Sequence, residues 1–134
     1  ISTMPGHVEL EFVDDLGTFA GLVDGDEDQV DISIAEYFEG KRVDEKQMKI
    51  NIAHEMIHAV QILSGRLIHT GLTLNEGVMS YKWRFDGQEY ENMKYSDQPW
   101  ENEAYDNEEE IYQAIESGRE VCAEIQSRFY PRRP

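Results

Sequence analysis

The sequence predicts a single α+β domain over residues 1–134, with a small antiparallel sheet, one long helix and a C-terminal helix. Three observations predict it. Apolar and polar residues alternate in short runs over the first third of the chain, the period of a strand. Apolar residues then recur every three or four positions from Met48 to Leu63, the period of a helix. A second helix-like run follows Pro99. A chain of 134 residues, 40% of them hydrophobic, builds one modest core and leaves little room for a second.

The elements follow in order. Val8, Leu10 and Phe12 alternate with Glu9 and Glu11 as a half-buried strand, and Asp14 to Gly17 is a turn. Thr18 to Val23 reads as a second strand, and Val30, Ile32 and Ile34 as a third, so the three are expected to form an antiparallel meander. The acidic stretch from Asp24 to Asp31 lacks the ligand register and closing Glu of a calcium loop, and Asp and Gly favour a solvated hairpin tip. A helix is expected over 45–64, with Asp44 as N-cap, Gln47 completing a capping-box-like pair and Gly65 as the stop. Met48, Ile52, Met56, Val60 and Leu63 form its apolar stripe. Residues 66–98 read as irregular except for a hairpin in which 81–85 and 88–90 flank Asp86-Gly87. A second helix runs from about 99 to Glu116, a short one is expected over 119–129, and the tail from Pro131 is expected to fray.

Charge narrows the function classes. Twelve Lys and Arg stand against 28 Asp and Glu, a formal charge of -16, which repels phosphate backbones and anionic lipid. Nucleic acid and membrane partners are disfavoured, apart from the special case of a protein that mimics nucleic acid. The single cysteine, Cys122, cannot form an internal disulfide and reads as a small buried residue. No signal-peptide pattern or membrane-spanning run is evident, so a cytoplasmic location is expected.

Chemistry concentrates at His54-Glu55-Met56-Ile57-His58, an HExxH sequence within the expected helix. Residues four apart lie one turn apart on one face, so both imidazoles can reach one ion at about 2.0–2.1 Å, the usual Zn–N distance. Glu55 lies beside them, placed to take a proton from a water activated by zinc. The bland alternative is a solvated face with two unrelated histidines. The helix has its own cap, stripe and stop, and the histidines lie off that stripe on a face able to line a cleft.

Catalytic zinc takes three protein ligands and keeps a position open. Glu101 and Glu76 are the candidates for the third, with Glu103 a lesser one. HExxH followed by a Glu on a later helix resembles the gluzincins among the zincin-like metallopeptidases. In several such families the ligand Glu has Ala three residues on, which lets its helix pack closely, and Glu101 with Ala104 is similar. HExxHxxQ from His54 to Gln61, with Gln98-Pro99-Trp100-Glu101-Asn102-Glu103-Ala104-Tyr105, more narrowly resembles small metallopeptidases encoded by phages and other viruses. The resemblance covers most of the chain, but only those two segments are specific. It implies a minimal zincin-like domain with zinc on His54, His58 and Glu101, virus-encoded and acting in a host cell. Asn75-Glu76-Gly77 resembles a segment of the aminopeptidase-type gluzincins, with a spacing from the second His one residue too short. One residue turns a helical side chain by about 100°. Glu103 is two positions from Glu101 and faces another side.

Other residues are candidates for support. Gln61 either orients a ligand or caps the core. His69, expected in a loop, either donates to an oxyanion or is simply exposed. Tyr105 and Tyr112 offer hydroxyls for a tetrahedral intermediate or rings for packing. Trp83 and Trp100 either anchor the core or line a groove. The expected function is zinc-dependent peptide-bond hydrolysis with Glu55 as general base and a peptide or protein as substrate. The alternatives are a non-catalytic metal-binding module, an acidic protein-binding regulator, and HExxH chemistry on a non-peptide amide or ester.

Overall fold

A computed structural model describes residues 7–118; the expected short helix over 119–129, Cys122 and the tail lie outside the described residues. The architecture is a small α+β domain. Its centre is α1 (Glu45–Leu63). Asp44 caps it, its side chain accepting from the backbone N–H of Gln47 at 2.8 Å. The reciprocal half of a capping box does not form, because the Gln47 side chain turns forward to Asn51. Gly65, at φ 77°, follows Ser64 and ends the helix in the left-handed region open to glycine.

Two apolar faces of α1 are covered, more than the single stripe read from the sequence. On one side a three-stranded sheet, β1 (His7–Val13), β2 (Gly21–Gly25) and β3 (Gln29–Ala35), lays Val30, Ile32 and Ile34 against Ala59 and Leu63. On another, α2 (Pro99–Glu116) packs Ala104, Ile111 and Tyr112 against Ala53, Ile57 and Val60. Ala104 has no exposed surface, so the two helices approach closely where Glu101 must reach across. A remaining side of α1 carries His54, Glu55 and His58. Two short strands, β4 (Tyr37–Phe38) and β5 (Lys41–Arg42), make a hairpin ahead of α1.

The antiparallel meander is not what forms. β3 is the middle strand, antiparallel to β2 and parallel to β1. Segment 14–20 crosses over the end of β3, pinned by bonds from Ala35 N–H to the Ala20 carbonyl and from Glu36 and Tyr37 N–H to the Val13 and Asp14 carbonyls. Alternation marks strands without ordering them. The central place goes to β3 because its inward residues Val30, Ile32 and Ile34 are wholly apolar and fully buried, whereas Leu10 and Phe12 of β1 stay partly exposed at an edge. The β2–β3 turn is the solvated tip expected, with the Asp26 carboxylate accepting from the N–H of Asp28 and Gln29.

Residues 66–80 are regular, against expectation. β6 (Leu67–Asn75), β7 (Val78–Phe85) and β8 (Gln88–Glu91) form an antiparallel sheet. Both turns hold two successive positive φ values, at Glu76-Gly77 and Asp86-Gly87, the geometry of tight type I′ hairpins. Asp-Gly is a familiar signal for that turn and Glu-Gly a weak one. Leu67, Phe85 and Trp100 form a third apolar cluster that seats this sheet on the start of α2. No helix among the described residues is long and apolar enough to cross a membrane.

Candidate metal and catalytic site

His54 and His58, one turn apart on α1, direct Nε2 atoms toward the first turn of α2, where Glu101 meets them. The Glu101 carboxylate lies 3.0 Å from His54 Nε2 and 3.1 Å from His58 Nε2, and the two Nε2 atoms are 3.2 Å apart. One ligand atom from each residue falls within 4.8 Å of the others.

The outer nitrogens decide what this cluster can hold. His54 Nδ1 faces Glu108 Oε2 at 2.8 Å, and a carboxylate can only accept, so His54 donates from Nδ1. His58 Nδ1 is 2.8 Å from Gln61 Oε1, while Gln61 Nε2 donates to the Trp100 carbonyl and to Glu103. That orientation of the amide makes His58 a donor at Nδ1 as well. With Nδ1 as the donor, a neutral imidazole at either position presents an Nε2 lone pair inward, whereas a hydrogen bond to Glu101 needs a proton on Nε2. Two such lone pairs and a carboxylate oxygen within about 3 Å of one another repel unless a cation sits among them, either a proton or a metal ion. Without metal, a proton serves. Burial opposes a charge on His54, yet Glu101 and Glu108 outweigh it and raise the imidazole above its ordinary range. Burial likewise opposes ionisation of Glu101, but hydrogen bonds from His54, His58 and Tyr95 hold its carboxyl down at about 2.

Glu55 lies beside the cluster without joining it. It lines a cavity of about 220 Å³ together with His54, His58 and Glu101. Burial raises its carboxyl above the ordinary range, against the downward pull of the two histidines. Its chain lies so near β2 that a Cβ at Gly21 would come within 2.8 Å of Glu55 Cγ. No protein-family model, no curated protein and no solved structure matches this chain.

The cluster thus unites His54, His58 and Glu101 from the residues picked out in the sequence, and leaves the others apart. Glu76 sits in the β6–β7 turn. Glu103 pairs with Arg66 and accepts from Gln61, which makes Gln61 both an orienting group for His58 and a buried polar cap. His69 is on strand β6, not in a loop, and stacks on Trp83 at 4.8 Å. Tyr112 is core. The Tyr105 ring lies 4.6 Å from the His54 ring. Trp100 is buried, and Trp83 borders the cavity.

Three functional neighbours escaped the sequence reading. Glu108 stands seven positions after Glu101, on the same helical face, a signal that was legible. Tyr95, in the 3-10 turn Tyr95–Asp97, donates to Glu101 at 2.9 Å and meets the Tyr105 hydroxyl at 3.1 Å. Burial and both partners raise its phenol, so it stays a donor. Gly21 makes room for Glu55. Neither Tyr95 nor Gly21 carries any local signature.

Proposed function

We propose that this chain is a metallopeptidase whose His54, His58 and Glu101 hold a zinc ion and whose Glu55 moves the protons of peptide hydrolysis. The observation that carries the reading is the convergence of two Nε2 atoms and a carboxylate oxygen beside a separate, half-buried glutamate. Two imidazoles and one carboxylate suit zinc and leave a ligand position free. When bound, such an ion polarises a carbonyl as a Lewis acid and makes a water acidic enough to give up a proton near neutral pH.

The rest is work for the chain's own groups. Glu108 and Gln61 hold the imidazoles in the tautomer that keeps Nε2 free. Tyr95 fixes Glu101 through its hydroxyl. Glu55 accepts the proton of the attacking water at its carboxylate and passes it to the leaving amine nitrogen. A carboxyl raised by burial holds that proton more readily than an exposed one. The substrate has an obvious track. β2 is an edge strand whose outer side has no partner among the described residues, and it runs along the cavity past Glu55. An extended peptide can add to such an edge through main-chain hydrogen bonds.

Metal analysis after dialysis is expected to find one zinc per wild-type chain, one per Glu55→Gln chain and none in Glu101→Ala. Peptide hydrolysis is expected in wild type only. Undiminished turnover in Glu55→Gln would refute its role, and stoichiometric zinc in Glu101→Ala would refute the ligand set.

A further inference from the structure

The groove beside the proposed centre changes its lining along its length. Toward the start of α1 it is walled by Phe19, Phe38 and Tyr105 together with Gln47, Asn51 and Glu108. Toward the β2–β3 turn it continues into a cavity of about 210 Å³, sharing Val23, Ile62, Leu67 and Trp83 with the central one. That second cavity has an apolar floor of Ile62 and Leu67, a wall of Trp83 with His69 against it, and an exposed rim of Asp24, Asp26 and Glu27. None of the described residues lining the three adjoining spaces is Lys or Arg.

The rim carboxylates are not equivalent. Asp26 is occupied by the turn's own amides. Glu27 extends over the end of α1, where a Cβ at Gly65 would meet its Oε1 at 3.3 Å, and among the described residues it has no hydrogen-bonding or cationic partner. Arg66, which follows Gly65 in the chain, is engaged by Asp86 and Glu103. An apolar floor ending in an unpaired carboxylate, with an aromatic face alongside, complements one kind of side chain: a long aliphatic stem with a cationic head. The formal charge of -16 adds a long-range pull in the same direction.

We infer that the cavity between the β2–β3 turn and β6 is a specificity subsite for a Lys or Arg side chain of an extended peptide substrate, its stem over Ile62 and Leu67 and its head at Glu27. The inference rests on the peptide-groove reading above and names the substrate class for it. Charge complementarity selects this occupant over an acidic or neutral peptide.

The test is binding of labelled dodecapeptides of one Val-Thr background, with a single Lys, norleucine or Glu at each position in turn, to the full-length Glu55→Gln protein with and without zinc. At one position the Lys peptide is expected to bind about fivefold more tightly than the norleucine peptide, the scale of a partly screened ion pair. The preference should vanish in a further Glu27→Gln change and turn toward Glu in Glu27→Lys. It should survive Asp106→Asn, which alters net charge equally on the exposed face of α2. Equal binding of Lys and norleucine peptides at every position overturns the inference, as does a preference that Asp106→Asn weakens as much as Glu27→Gln. Hydrolysis of the norleucine series by wild type reports separately on the metallopeptidase reading. Hydrolysis without charge preference sinks the subsite alone; basic preference without hydrolysis sinks the enzyme reading alone.

Discussion

His54 and His58 both face Glu101 from consecutive turns of one helix, yet their outer nitrogens are held in different ways. The two rings are equally buried, and His54 has its outer partner at the rim. Its Nδ1 meets the carboxylate of Glu108, which is 24% exposed, and its ring is covered by a half-exposed Tyr105. His58 has its outer partner in the interior. Its Nδ1 meets the amide of Gln61, which has no exposed surface, and the charge lies farther out: Gln61 donates to Glu103, Arg66 clasps Glu103, and Arg66 also grips Asp86 at the β7–β8 turn. A carboxylate is a strong orienting acceptor but costly to bury. Where water reaches, the protein uses the charge directly. Where it does not, a neutral amide relays from a charge nearer the surface.

This difference can be attacked from its strong end. Gln61→Leu should lower zinc affinity about a hundredfold in a chelator competition, the upper range for loss of an orienting partner. It should also cost about 2 kcal/mol in chemical unfolding, because the Trp100 carbonyl and Glu103 lose their donor in a buried place. Unchanged affinity would break the comparison. Arg66→Met should cost a similar 2 kcal/mol or so in stability by uncovering the partly buried Glu103, with a smaller effect on zinc. Glu108→Gln keeps an acceptor at the rim, so zinc affinity should fall about tenfold at most and thermal stability should barely move. A larger loss than for Gln61→Leu would reverse the ranking of the two sites.

The smallest effect concerns pH. Arg66 holds the Asp86 carboxyl below its ordinary 3.8, against burial. A carboxyl lowered by folding stabilises the protein above its unfolded pKa and loses that contribution as pH falls through the folded value. The stability gap between wild type and Asp86→Asn should therefore be present at about pH 6 and shrink below about pH 4. A gap that stays constant into acid would show that the Arg66 anchor does not depend on the Asp86 charge. The exposed position of Asp86 keeps the effect modest.

Much of this site was legible in the chain because local chemistry encoded it. Asp44, the apolar periodicity and Gly65 bounded α1 within a residue, and Pro99 set the start of α2. Glu101 was favoured over Glu103 by helix facing, and over Glu76 by spacing and the Ala104 that follows. In the structure Glu101 lies against both histidines, Glu76 is a turn residue, and Glu103 serves Arg66. Strand order was not legible, because alternation describes a strand's two faces and not its neighbour. The 66–80 hairpin was missed because Glu-Gly is a weak turn signal.

The sequence by itself determined that two imidazoles and Glu55 would share one helix with a carboxylate offered from a later one, since helical period is a local property. Only the tertiary structure decided which group each ring nitrogen meets, and that β2 and Gly21 lie against Glu55. Those are facts of packing between segments far apart in the chain. Hydrogen-bond partners there are chosen by what burial leaves within reach, which no local pattern records.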